Sequence, residues 1–327
     1  MIYPENATIL APLSGFTDLP YRRAARRCSC RYAFTEMVDA ASIAYSPERA
    51  KTLLLRGEDE EFLGVQLVGA DLELLKKATI FLNDFDFSVL DLNLGCPVPK
   101  VVRKGAGAAL GSDCDNAARA VEILVKNSRF PVTAKIRIQD EVDPEKTLVL
   151  AKKLVDAGIE MLTIHGRSRA SFYSGVVHGE IIKFVAENIP IPVIANGGVN
   201  SLESAAALKK ASSCSRLMLA QGAMGNPWLF RLLNGGEHPT MAEWQSMVMT
   251  HVSEMAQLYG EESGLVMARK ICHDYLKGRG FPASARAEAS KLTTLAQLEK
   301  LLSSLSAPPE SLGSAGRKIK SSEPGTC

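Results

Sequence analysis

A few residues in this chain have types and neighbours suited to chemistry. Lys135 sits inside the apolar run VTAKIRI. Taking an ammonium out of water is costly unless an anion or a polar ligand meets it. Lys135 therefore either pairs with an acid on a neighbouring strand or faces a bound molecule. His165 closes a second apolar run and heads Gly166-Arg167, Asn196-Gly197-Gly198 closes a third, and Ala220-Gln221-Gly222 closes a fourth. Glycines at such ends let a ligand approach the backbone closely and leave N–H groups free for a phosphate. Gln66 interrupts LGVQLV, and Pro12-Leu13-Ser14 follows TILA. Lys135, His165, Asn196 and Gln66 together suit a phosphorylated cofactor.

Cys96 follows LDLNLG, precedes Pro97, and leads into the glycine-rich stretch VVRKGAGAALG. It is either a buried structural cysteine or a thiol that exchanges a proton beside the cofactor. The same stretch carries Arg103 and Lys104, which suit a polyanionic substrate better than a small neutral one. Cys28-Ser29-Cys30 is the closest cysteine pair, but no second pair or histidine cluster accompanies it, so no metal site is expected.

The elements that must position these residues follow from periodicity. Eight short apolar, β-branched runs recur, at 8–12, 32–38, 63–68, 87–93, 132–138, 161–165, 192–196 and 216–221. Nearly continuous apolar runs are what strands covered on both faces require. Between them lie amphipathic patterns such as 71–82, 115–127 and 148–155, the last followed by Gly158. Eight strand–helix repeats predict a (β/α)8 TIM barrel over 1–233, with a doubly wound open sheet as runner-up. Residues 234–240 read as a linker and 241–306 as a small all-helical domain. The Pro-, Gly- and Ser-rich segment 307–327 is expected to be disordered.

Composition narrows the class. The 327 residues are 46% apolar and 23% charged, with a net charge of +2, which excludes a fibrous or globally disordered chain. No apolar run reaches about 18 residues, so no membrane span is expected. The N-terminus has no basic-then-apolar leader, so a reducing cytoplasmic location with free thiols is expected for the seven cysteines. Segment 265–300 carries seven basic residues against three acidic ones, most often the mark of a solvated helix face.

ILAPLSGFTD, VQLVG, LDLNLGCPVPKVVRKGAGAAL, TAKIRI, LTIHGRSRA, VIANGGV and MLAQGAMGNPWLF resemble, in order and spacing, the tRNA-dihydrouridine synthases of bacterial type. The resemblance covers about residues 8–232 and continues more weakly through GLVMARKICHDYLKGRG. It implies a barrel holding FMN at its C-terminal mouth, reduced by NADPH or NADH, that gives hydride to C6 of a tRNA uridine. Cys96 matches the loop cysteine that protonates C5, and Asn93 the asparagine that holds the uracil ring. Pro12, Leu13, Ser14, Gln66, Lys135, His165, Asn196, Gly197 and Gly198 match flavin contacts. The helical domain would clamp the tRNA, with Arg269, Lys270, Lys277 and Arg279 on its phosphates and Arg103 and Lys104 helping from the loop. No stable protein partner is implied, and a monomer is expected. One departure stands out: the family usually has Gly-Arg at the end of strand 8, pairing with the FMN phosphate, where this chain has Ala220 and Gln221.

Two other readings compete. A flavin barrel reducing a free pyrimidine or an enone is opposed by Arg103, Lys104 and the basic helical segment. A tRNA-binding homologue impaired in catalysis, suggested by Gln221, is opposed by Cys96, Asn93 and Lys135.

Overall fold

A computed structural model describes residues 2–306 and residue 312. Eight strands follow one another around a closed parallel barrel: β1 (Thr8–Leu10), β2 (Tyr32–Asp39), β3 (Leu63–Val68), β4 (Val89–Leu94), β5 (Val132–Arg137), β6 (Met161–His165), β7 (Val193–Asn196) and β8 (Arg216–Leu219). β1 pairs with β8, which closes the ring. The TIM barrel expected from the periodicity is the fold, and the open sheet is excluded. Each strand matches a predicted run to within a few residues. Shifts of two residues occur where β1 stops before Pro12, where β4 starts at Val89, and where β8 stops at Leu219 because Gln221 opens a short 3₁₀ turn, Gln221–Ala223.

Many strand-to-helix connections end on an aspartate or a serine because a helix start leaves backbone N–H groups without partners. Asp18, Asp39, Asp71, Asp113, Asp143 and Ser201 each cap the next helix with a side-chain oxygen. The main core lies between barrel and helices, from Leu10 and Leu63 round to Leu217 and Phe230. A smaller cluster plugs the barrel floor: Tyr3, Ile9, Phe34, Val89, Met161, Ile194 and Met218. The floor is thus sealed with side chains, and chemistry is left to the opposite end.

Past the barrel, four helices follow: Met241–Tyr259, Glu261–Leu276, Ala283–Ala289 and Leu295–Ser303. Their core contains Trp244, Val252, Leu265, Ile271 and Tyr275, and it takes in Trp228 and Cys28 from the barrel side. That shared core seats the helices against helix Leu19–Arg27. The segment 307–327, expected to be disordered, lies outside the described residues except for Leu312. Leu312 is fully buried in the same core, and its carbonyl accepts from Arg279. No helix among the described residues is long and apolar enough to cross a membrane.

Candidate active site

A cavity of about 700 Å³ opens at the C-terminal mouth of the barrel. That is within the usual range for a cofactor site. Pro12, Leu13, Ser14, Gln66, Asn93, Cys96, Lys104, Lys135, His165, Asn196, Gly197, Gly198, Ala220 and Gln221 all line it. The strand period of two explains why: Asp91 and Asn93 point into the barrel from β4, and Thr133, Lys135 and Arg137 from β5. Register sets them side by side, Gln66 opposite Asp91, Asp91 opposite Thr133, and Asn93 opposite Lys135.

Burial sets the charge states. Lys135 is held down to about 8, chiefly by burial and then by Arg137, while Asp91 opposes the shift. Among the described residues Lys135 has no ion-pair partner, so the structural pairing weighed above is absent and its ammonium faces the cavity. His165 is pushed well below its ordinary value by burial and by Lys135, Arg137 and Arg167, which makes it a neutral imidazole. Asp91 is raised to about 6 by burial, against hydrogen bonds from Thr133 and Gln66.

The Cys96 loop is built on Asn93. Its Oδ1 accepts from the N–H of Gly95 at 3.2 Å and of Cys96 at 2.9 Å. Gly107 has φ +59°, and a Cβ there would lie 2.7 Å from the Cys96 carbonyl oxygen, so only glycine lets the loop fold back over the thiol. Cys96 itself is half-buried and free. Lys104 reaches over the mouth to Asp39, Nζ to Oδ2 at 2.7 Å, and Arg103 is exposed beside it.

Three further residues lie at the mouth: Arg137 and Arg167, both visible at strand ends in the sequence but given no place in the site, and Tyr173. Arg137 donates from Nε to Gly95 O at 2.9 Å and from Nη1 to Ser168 O at 3.0 Å and Phe172 O at 2.6 Å. Its guanidinium lies 5.4 Å from the centre of the Tyr173 ring, so it ties the Cys96 loop to the loop after β6. Its position two residues beyond Lys135, on the same strand face, was an available signal. Tyr173 lies in an aperiodic loop and gave none. Arg167 also lines the cavity; it donates from Nε to Gly175 O at 3.0 Å, and Nη1 lies 3.4 Å from His165 Nε2.

The corner expected to take a phosphate lies at the ends of β7 and β8. Gly197 has φ +126°, and a Cβ there would meet the His165 ring at 2.7 Å, so only glycine lets the imidazole pack against this backbone. A half-buried cation, a neutral histidine and two glycines lining one cavity fit a phosphorylated ring cofactor.

The basic helical residues divide. Lys277 is exposed. Arg269 spends Nε and Nη2 on Leu292 O, at 3.0 and 2.9 Å. Lys270 donates to Gly15 O and lies 4.1 Å above the Phe16 ring. Arg279 does not reach a surface: it is fully buried and donates to the carbonyls of Leu312, Asp274, Tyr275 and Gly225. Its expected role on tRNA phosphate is corrected; those carbonyls outcompete solvent because the helix end closes over them. No cluster of three or more His, Cys, Asp or Glu side chains suited to a metal occurs among the described residues.

Fold and mouth together define a TIM-barrel enzyme with a cofactor cavity and a cysteine loop above it. The model of the family "Dihydrouridine synthase (Dus)" matches residues 9–307, and the chain belongs to that family. It is 34% identical over 281 residues to a protein named tRNA-dihydrouridine synthase B from Pasteurella multocida, covering 84% of this chain and 85% of that one. It is 36% identical over 285 residues to a probable tRNA-dihydrouridine synthase from Rickettsia bellii, covering 85% and 87%. A solved FabK mutant from Thermotoga maritima covers 67% of this chain and 62% of its own at 17% identity and TM-score 0.41, a likeness too loose to carry an argument.

Proposed function

We propose that the protein reduces the C5–C6 bond of a uridine in tRNA, with FMN held at the barrel mouth and NADPH as the reductant. The observation that carries this reading is the direct hydrogen bond between Asn93 and the Cys96 backbone at the rim of a cavity containing Lys135. FMN, when bound, supplies the hydride to C6. Lys135, His165, Asn196, Gly197 and Gly198 would hold it, with Pro12, Leu13, Ser14 and Gln66 along the ring.

Negative charge then builds on the uracil O4–C4–C5 system. Lys135 and Arg137 make the mouth positive where that charge develops, the setting in which fixed charges stabilise a transition state most. The Cys96 Sγ–H gives its proton to C5 and the resulting thiolate regains one from water, which its half-exposed position permits. A base in folded tRNA must leave its stack to reach this depth. The C-terminal helices would form the tRNA-binding unit, with Lys277 and Arg103 on phosphates and Lys104 joining them when released from Asp39.

The test is to incubate the purified protein with FMN, NADPH and unmodified tRNA and to map dihydrouridine by mass. A gain of two hydrogens at one uridine supports the reading. Reduction of free uracil in preference to tRNA would replace it with the small-molecule alternative, and a colourless protein that binds tRNA would replace it with a binding function.

A further inference from the structure

Asp91 lies one level below the mouth on β4, 2% exposed, and does not line the cavity. Its carboxylate accepts from Gln66 Nε2 at 2.7 Å and from Thr133 Oγ1 at 2.6 Å. Gln66 Oε1 accepts in turn from Asn93 Nδ2 at 2.8 Å. Asn93 Oδ1 accepts from the backbone N–H groups of Gly95 and Cys96. The four residues form one buried chain from the barrel interior to the cysteine loop.

The direction of that chain is set at both ends. A backbone N–H only donates, and an ionised carboxylate only accepts. Each amide between them has one donor end and one acceptor end. Only one arrangement satisfies every link: the Gln66 NH₂ toward Asp91, the Asn93 NH₂ toward Gln66, and the Asn93 oxygen toward the loop. Turning either amide would set donor against donor and leave buried groups unpaired.

We infer that Asp91 is a positioning residue, the acceptor that locks the Gln66 and Asn93 amides, and through Asn93 the Cys96 loop, in one orientation toward the cavity. With both oxygens committed within the chain, the second N–H of each amide is what remains for a bound molecule, so the pair is built to meet carbonyl oxygens. On Asn93 that N–H faces only the Met37 sulfur, 3.2 Å from Nδ2, a weak acceptor that a ligand displaces. This rests on reading the cavity as the site of FMN and uracil.

Isosteric variants test it. In Asp91→Asn the side-chain oxygen can still serve Gln66 if its NH₂ turns to Thr133 Oγ1. In Thr133→Val one donor to Asp91 is lost and the chain is untouched. In the double variant the Asn NH₂ has no partner at position 133 and competes for Gln66. Each single change is expected to leave FMN affinity and kcat within about threefold of wild type. The double variant is expected to lose about tenfold or more in both, beyond the product of the singles, as one buried donor goes unpaired. KM for tRNA should stay unchanged, and the visible flavin band should shift in the double variant alone. Thermal unfolding of each variant checks that the fold is retained. A double variant no worse than the product of the singles overturns the inference. So does Asp91→Asn losing as much as the double, which would make charge beside Lys135 the property that matters. Wild-type protein that takes up no FMN overturns the functional reading itself.

Discussion

The ammonium of Lys270 donates to the carbonyl of Gly15 and sits over the ring of Phe16. On the N-terminal side of the same glycine, the Gly15 N–H donates to Glu36 on β2. The loop after β1, which carries Pro12, Leu13 and Ser14 to the cavity, is thus held between the barrel and a C-terminal helix. A contact from the helical segment reaches the cofactor side of the mouth directly.

Lys270→Met should therefore weaken FMN binding several-fold as well as raise KM for tRNA, since a cation–ring contact with a hydrogen bond contributes about 1 kcal/mol or more. Titration of apo protein with FMN, without tRNA, measures this. A pure phosphate contact would leave that titration unchanged.

Cys96→Ala should bind FMN and oxidise NADPH normally yet accumulate dihydrouridine slower by about 10²–10⁴, the usual contribution of a positioned acid. Single-turnover kinetics on tRNA decide it, and wild-type rates would remove the thiol from the mechanism.

Lys135 gives a pH dependence with a definite sign. In the free protein it is cationic below about 8 and neutral above. Affinity for FMN, above all with its ring reduced and anionic, should fall as pH rises through that region, with bound anion moving the midpoint upward. Stability of the apo protein runs the other way: between about 8 and 10.5 the unfolded chain holds a proton that the folded one has lost, so this group adds stability as pH rises. Lys135→Met should flatten both profiles, as measured by FMN titration and chemical denaturation.

Arg279→Met should leave the salt dependence of tRNA binding unchanged and destabilise the fold by at least about 2 kcal/mol, because buried carbonyls lose their donors. Denaturant unfolding and a salt titration separate the two effects.

Gln221→Arg tests the departure at the end of β8. Gln221 lines the cavity, and Arg167 lines it too. A charge-assisted contact is roughly twice as strong as a neutral one. If the position faces the phosphate, the variant should hold more FMN after purification and titrate tighter. Equal affinity would assign the phosphate charge to Arg167.

Much of the barrel and its mouth could be read from the residues alone. Buried strands demand continuous apolar runs, so a lysine, glutamine, asparagine or histidine inside one is visible as an exception. In a parallel barrel such exceptions cluster where strands end, and the fourteen cavity-lining residues named in advance met there. Helical faces were visible too, at 71–82, 115–127 and 148–155, although the last begins well inside the helix that starts at Pro144. These are local effects, acting over one strand or one helical turn.

Tertiary structure decided what depends on distant neighbours. Arg279, Arg269 and Lys270 share a basic helical segment, yet one is buried on four carbonyls, one braces Leu292, and one braces Gly15. Whether a cation meets solvent, a carbonyl or a ring depends on which chain packs beside it, and spacing does not carry that. Asp91 shows the same limit: its type was visible in LDLN, but its role needed the register that sets it between Gln66 and Thr133. Periodicity determined the barrel and the composition of its mouth because burial repeats along the chain. The partners of each polar group were settled only by strand register and helix docking, because a hydrogen bond needs two groups brought together within about 3 Å.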